Sequence, residues 1–289
     1  MFKRLTAAAL VAAAAAALAV APESAGASRR YDDCASGHAT RRSVDVVGLT
    51  RDRHLLCFRS NHPEWARDQG RVRGLTTDQS LVGIDVRPAT GDLYGLGDKG
   101  GVYTIDPDRT RATLVSRANV ALRGTNFGVD FNPVADRLRV VSDAGQSLRI
   151  NVADGTTTAD TDVAYTPGTP ATGVVGSMYT NNDADPNTGT TLFDVDSMLD
   201  QLAIQSPPNN GNLVATGKLG ADTGPEVGAD IFSRLEDGTT VSNWAFVSLS
   251  DNLGSHFARV DLLTGRATPV DDFSWRYDVT GIAVVPPTD

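Results

Sequence analysis

The chain returns again and again to one short phrase, an alternating strand closed by Asp or Asn. The closing residues Asn61, Asp106, Asn151 and Asp196 stand 45 residues apart, and Asp261 follows after 65. Ser60, Ile105, Ile150, Val195 and Val260 precede the closers by one residue. Phe58, Tyr103, Leu148, Phe193 and Ala258 precede them by three. This period-two alternation marks a strand with one buried face. After the closers, "DPDRTRATLV", "NVADGTTTAD", "DSMLDQLAIQ" and "DLLTGRATPV" each read as a turn followed by another strand. An Asp or Asn at the start of such a turn accepts backbone N–H bonds two residues on. Its recurrence therefore needs no catalytic role.

A second strand pair runs ahead of the phrase. "VGIDVRPATGDLYGLG" (82–97) and "FGVDFNPVADRLRVVS" (127–142) are each strand, Pro-containing turn, strand, and "VGADIF" with "NWAFVSL" repeats the pattern at 227–249 around a longer loop. In the remaining copy "VVGSMYT" (174–180) reads as the second strand, with the first in or near Asp162–Tyr165. Four antiparallel strands in about 45 residues is the spacing of a β-propeller blade. Residues 46–80 supply three strands, "VVGLT", "HLLCF" and "RVRGL", and lack a leading one; "VTGIAVVPP" at the C-terminus is a leading strand with no blade behind it. Pairing the two completes a fifth blade and removes exposed sheet edges. The expected fold is all-β: a propeller over 46–289 of five four-stranded blades, closed by the C-terminal strand against the N-terminal blade. A six- or seven-bladed count is the main alternative, and the regular period disfavours an open β-sandwich.

Lys3 and Arg4 precede an alanine-rich apolar run, Leu5 to Val20, and Ala25-Gly26-Ala27 follows. That is the pattern of a secretory signal peptide over 1–27, and the run is short for a membrane span. The mature chain is expected to begin near Ser28 with an arm over 28–45. It is expected to be secreted or extracytoplasmic, without an integral membrane segment. It would carry 24 basic and 34 acidic residues, the basic ones enriched in 28–80, where ten arginines face seven acids. So acidic a chain is repelled by phosphates, which argues against a nucleic-acid partner. Cys34 and Cys57 are the two cysteines, and in an oxidising compartment such a pair closes a disulfide worth roughly 3 kcal/mol. A metal pair with His38 or His54 is the alternative, and its spacing matches no zinc pattern.

"LVGIDVRPATGDLYGLG", "FGVDFNPVADRLRVVSDAGQSLRIN", "TLFDVDSMLDQL" and "PPNNG" together resemble the bacterial domain-of-unknown-function family 4394, from about Val46 to Pro287. The resemblance implies a propeller-like repeat domain in exported bacterial proteins and implies no activity. The cysteine-bearing arm and the enlarged, Asp-rich loop after Tyr179 depart from it.

Propellers bind or react at the mouth of the central channel, lined by each blade's leading strand. Two residues after the glycine of three leading strands stand Asp85, Asp130 and Asp230. If they face the channel together, they could hold a hard cation such as calcium, which could activate water in a hydrolase or lactonase. The structural reading pairs them with Arg87, Arg137 or Arg139, or with backbone N–H groups between blades. In "DADPNTGTTLFD", Asp183, Asp185, Asn187 and Asp194 occupy positions 1, 3, 5 and 12 of a calcium loop. Position 6 is Thr188 rather than glycine, and a polar hairpin loop is the competing reading. "SPPNNGNL" (206–213) reads as a rigid turn. "FSWRY" (273–277) offers Trp275 and Tyr277 as a stacking platform for a ligand or as packing between the first and last blades.

The four histidines, His38, His54, His62 and His256, form no recognisable catalytic motif. The expectation is a non-enzymatic binding or scaffold module for an extracellular or envelope ligand. The alternative is a metal-dependent hydrolase at the Asp85/Asp130/Asp230 mouth.

Overall fold

The computed structural model describes residues 43–183 and 185–286. The expected signal peptide over 1–27, the expected arm up to residue 42 and Cys34 lie outside the described residues. Five four-stranded antiparallel sheets form a closed β-propeller. Blade one pairs the last strand, β20 (Val279–Val284), with β1 (Asp45–Thr50), followed by β2 (His54–Arg59) and β3 (His62–Arg71). Blade two is β4 (Leu81–Val86), β5 (Leu93–Gly97), β6 (Gly101–Asp106) and β7 (Arg111–Arg117). Blade three is β8 (Phe127–Asn132), β9 (Arg137–Ser142), β10 (Ser147–Ile150) and β11 (Thr157–Ala159). Blade four is β12 (Val174–Tyr179), β13 (Leu192–Asp196), β14 (Gln201–Gln205) and β15 (Leu213–Lys218). Blade five is β16 (Val227–Glu236), β17 (Thr239–Asp251), β18 (Gly254–Val260) and β19 (Ala267–Asp272).

Closure occurs where the sequence places it, with Val46 opposite Val284 and Leu49 opposite Gly281. The recurring Asp and Asn cap turns as expected. Asp261 Oδ1 accepts the N–H groups of Leu263 and Thr264, each at 2.9 Å, and Asn151 Oδ1 accepts that of Ala153 at 3.2 Å.

Two details differ from the sequence reading. In blade one the strand after β2 is His62–Arg71 rather than "RVRGL", of which Arg71 ends β3 and Arg73 makes an isolated bridge to Arg111. In blade four, Val174–Tyr179 is the innermost strand, so "TLFDVD" is second in its sheet and not third. The insertion 160–173 and the long loop 180–191 displace this blade along the chain. The 45-residue step from Asn151 to Asp196 thus joins non-equivalent strands.

The alternating apolar faces meet between blades. Four of the five seams are apolar, and the seam of blades five and one is aromatic: Phe58 packs edge-on against Phe257 at 5.1 Å and against Phe273 at 5.0 Å. The seam of blades three and four has the smallest apolar cluster, Val141, Val163, Ala171, Val174, Ala203 and Leu213. Polar side chains fill the rest of it.

The innermost strands β4, β8, β12, β16 and β20 surround the axis, and each carries a glycine there: Gly83, Gly128, Gly176, Gly228 and Gly281. They pinch this end of the channel to about 10 Å³, room for one water centre. A Cβ at Gly128 would lie 2.5 Å from the main chain of Gly176, whereas one at Gly281 would meet nothing nearer than Leu49 Cβ at 3.6 Å. Gly128→Ala is therefore expected to cost about 3 kcal/mol or more, because backbone cannot yield as a side chain can. Gly281→Ala should be nearly neutral. Urea denaturation of the two variants checks the contrast; equal losses would contradict the packing described.

Candidate functional site

Asp85, Asp130 and Asp230 converge. One oxygen from each lies within 4.8 Å of the other two, and all three residues are buried. Among the described residues this is the one such group of three. The expected arginine partners are engaged elsewhere: Arg87 Nε donates to Asp136 at 2.7 Å, and Arg139 Nη1 to Asp160 at 2.7 Å. The three carboxylates instead accept main-chain N–H groups.

The pattern of those bonds runs round the wheel. Asp85 Oδ2 takes the N–H of Phe131 in the next blade at 2.7 Å, and Asp130 Oδ2 takes that of Tyr179 at 2.7 Å. Asp230 Oδ2 takes that of Val284 at 2.5 Å. Blades four and one place Met178 and Ala283 where the others have Asp, so the following N–H groups lack a carboxylate from behind. There the aspartate of the same strand substitutes. Ile231 N–H is taken by Asp230 Oδ1 at 2.5 Å, and Val86 N–H by Asp85 Oδ1 at 2.7 Å. Three side chains thus serve five inner-strand donors, one from every blade. Where the accepting carboxylate is ionised, such a bond contributes about 1.5–3 kcal/mol.

Burial, opposed by the N–H bonds from Phe131 and Val86, pushes the Asp85 carboxyl up to about 7. Burial and then the charges of Asp85 and Asp230 push Asp130 well above its ordinary value. Burial, followed by the Asp85 charge, raises Asp230. The spacing could coordinate a metal ion. The donor set fits a hard cation poorly, because calcium wants six to eight oxygens and five of these six already face N–H dipoles.

The loop residues do not gather in the same way. Asp183 is tied by Asp185 N–H at 2.9 Å and by Thr240 N–H at 2.9 Å, which docks the loop on the β16–β17 hairpin. Asp185 Oδ1 accepts the N–H of Asn187 at 2.8 Å. Asp194 is on β13, fully buried, and accepts from Ser177 Oγ at 2.8 Å. Burial raises it to about 7. Tyr277 packs on the aromatic seam, and Trp275 is 86 % exposed. Cys57 is buried in β2. The three described histidines face carboxylates: His54 Asp68, His62 Glu64 and His256 Asp272.

Two features escaped the sequence reading. Arg139, 1 % exposed, crosses the seam of blades three and four. It donates to Ser147 Oγ at 2.8 Å, Asp160 Oδ2 at 2.7 Å, Tyr179 OH at 3.2 Å and Asn209 Oδ1 at 3.0 Å. The "PPNNG" turn, a 3₁₀ turn at Pro208–Asn210, is therefore a latch between blades. The second feature is a groove of about 480 Å³ at the glycine end, where blades five and one meet. Asp222, Glu226, Asp251 and Asp278 line it with Arg51, whose guanidinium bridges Glu226 and Asp278. Leu253, 84 % exposed, stands between lining residues Asn252 and Gly254.

Residues 54–283 match the family described as Domain of unknown function (DUF4394). No curated protein matches the sequence. Similar solved structures include an auxiliary nutrient binding protein from Bacteroides thetaiotaomicron VPI-5482, with 12% identity and a TM-score of 0.44 over 82% of this chain and 63% of that one. Hydrazine synthase of Kuenenia stuttgartiensis has 12% identity and a TM-score of 0.41 over 69% and 51%. A protein from Lactobacillus plantarum has 14% identity and a TM-score of 0.40 over 84% and 99%. The chain thus spans about half of the hydrazine synthase chain and under two thirds of the nutrient-binding one.

Asp194 makes stability depend on pH. Unfolded, it releases its proton near 3.8; folded, it holds it to about 7. Between those values the folded state binds more protons, so stability falls as pH rises. Asp136 acts oppositely: the Arg87 guanidinium beside it holds its carboxyl low, a contribution lost as pH falls below 3.8. The melting temperature should peak at about pH 4 to 6 and decline toward 8, and Asp194→Asn should flatten the decline. Asn209→Ala leaves a buried guanidinium N–H unpaired and should cost about 1–3 kcal/mol, read by chemical denaturation.

Proposed function

The chain belongs to the family described as Domain of unknown function (DUF4394), and from that premise we propose that it is an exported, non-enzymatic binding or scaffold module. Residues 1–27 direct export and are removed, 28–45 form an arm, and 46–289 form the propeller that meets an extracellular or envelope ligand. The arm is fastened by a Cys34–Cys57 disulfide; among the described residues no cysteine is free. No helix among them is long and apolar enough to cross a membrane.

One contrast carries this reading. The axial carboxylates are buried and bonded to main chain, behind a channel with room for one water centre, while the groove between blades five and one is open. A reacting group must be reached by its substrate; a binding surface need only be presented. Four carboxylates against one already-bridged guanidinium favour a ligand that carries positive charge. The exposed Trp275 and Leu253 offer apolar and aromatic contact on the same end of the wheel.

The convergence of Asp85, Asp130 and Asp230 favours a second reading, a calcium ion at the axis supporting hydrolysis of an ester or lactone. Both readings are tested on the mature protein. With a trilysine peptide as probe, titration calorimetry should show saturable binding that weakens with salt and is lost in the Asp222→Ala/Glu226→Ala double variant. Turnover of an ester and lactone panel, abolished by EDTA and by Asp130→Ala, would replace the binding module with the hydrolase.

A further inference from the structure

We propose that the hub of the wheel is held by a shared proton rather than by a cation: Asp130 is the protonated member and donates to Asp85, while Asp85 and Asp230 are the acceptor carboxylates. The assignment follows from where the donors point. Both oxygens of Asp85 accept main-chain N–H groups, from Val86 and Phe131, and both oxygens of Asp230 do so, from Ile231 and Val284. An O–H on any of these four oxygens would set a donor against a donor. Asp130 accepts one N–H, that of Tyr179, on Oδ2. Its Oδ1 is the one oxygen of the six with no main-chain donor, and Asp130 and Asp85 each bring a carboxylate oxygen within 4.8 Å of the other.

Electrostatics requires the same proton. Three carboxylates within 4.8 Å of one another, none more than 5 % exposed, cannot all be charged. The groups facing them do not neutralise the cluster. Tyr94 on β5 stands opposite Asp85, and Arg139 on β9 stands opposite Asp130. Phe246 on β17 stands opposite Asp230, and β20 contributes Ala283. The guanidinium of Arg139 is bound to Asp160, Ser147, Asn209 and Tyr179, the last on β12. Loss of the hub proton in alkaline solution therefore leaves a buried excess of negative charge where all five inner strands meet.

An amide mimics a protonated carboxyl but not a charged one, which gives the test. In Asp130→Asn, the amide oxygen takes the Tyr179 N–H and the NH₂ group donates to Asp85. That variant should melt at or above the wild-type temperature at pH 8 and show a shallower loss of stability between pH 6 and 9. Asp85→Asn and Asp230→Asn each turn an NH₂ group on a main-chain N–H and should melt several degrees lower. If those two fail to fold, carboxyl carbon NMR of the wild-type protein reads the same point: the Asp130 signal should remain that of a protonated acid at pH 7. An Asp130→Asn protein destabilised as much as Asp85→Asn, an ionised Asp130 at pH 7, or purified protein carrying one tightly bound metal per chain would each overturn the proposal.

Discussion

An innermost propeller strand has a neighbour on one side only, and its other edge faces an axis from which the surrounding strands exclude water. Main-chain N–H groups there must find acceptors or forfeit the cost of their desolvation. In this protein three aspartates meet that demand for five strands, each reaching forward to the next blade or back to its own main chain. The glycines two residues earlier bring the strands close enough for those reaches. Burial of the carboxylates is thus a consequence of the geometry that makes them useful. The same geometry seals them from solutes.

The seams between blades divide the remaining work unequally. Four are filled by aliphatic and aromatic side chains and depend on burial of apolar area. The fifth, between blades three and four, surrounds a buried guanidinium with Asp160, Tyr179, Ser147 and Asn209. A polar seam demands directional bonds and so allows one docking geometry where an apolar seam would tolerate several. The Pro-Pro-Asn-Asn-Gly turn supplies the last of those bonds.

Much of this was legible from side-chain periodicity. The alternation at Phe58, Tyr103 and Leu148 and the unpartnered strands at both ends led to five closed blades, and Asp85, Asp130 and Asp230 stood at matched offsets from glycine. Blade four was misread because Asp196 happens to fall 45 residues after Asn151; a surface insertion and a long loop had shifted its strands. Aligning the copies on glycine instead, with Gly176 leading to Met178, would have found the correct inner strand. Arg139 had no such signal. Its alternation marks a strand, but whether a charged side chain faces water or a buried partner depends on Asn209 and Asp160, which folding alone brings to it. The groove likewise arises from loops of two blades far apart in the chain.

The pairing of β20 with β1 fixes the order in which the molecule can mature. Thr50 and Leu49 cannot acquire their neighbours Val279 and Gly281 until nearly the whole polypeptide is available. Blades two to five can assemble from local contacts, but the first must wait with one open edge for the last strand, a long-range step that is intrinsically slow. A chain threaded through a membrane from its N-terminus would therefore remain incomplete, and still passable, until its tail has crossed.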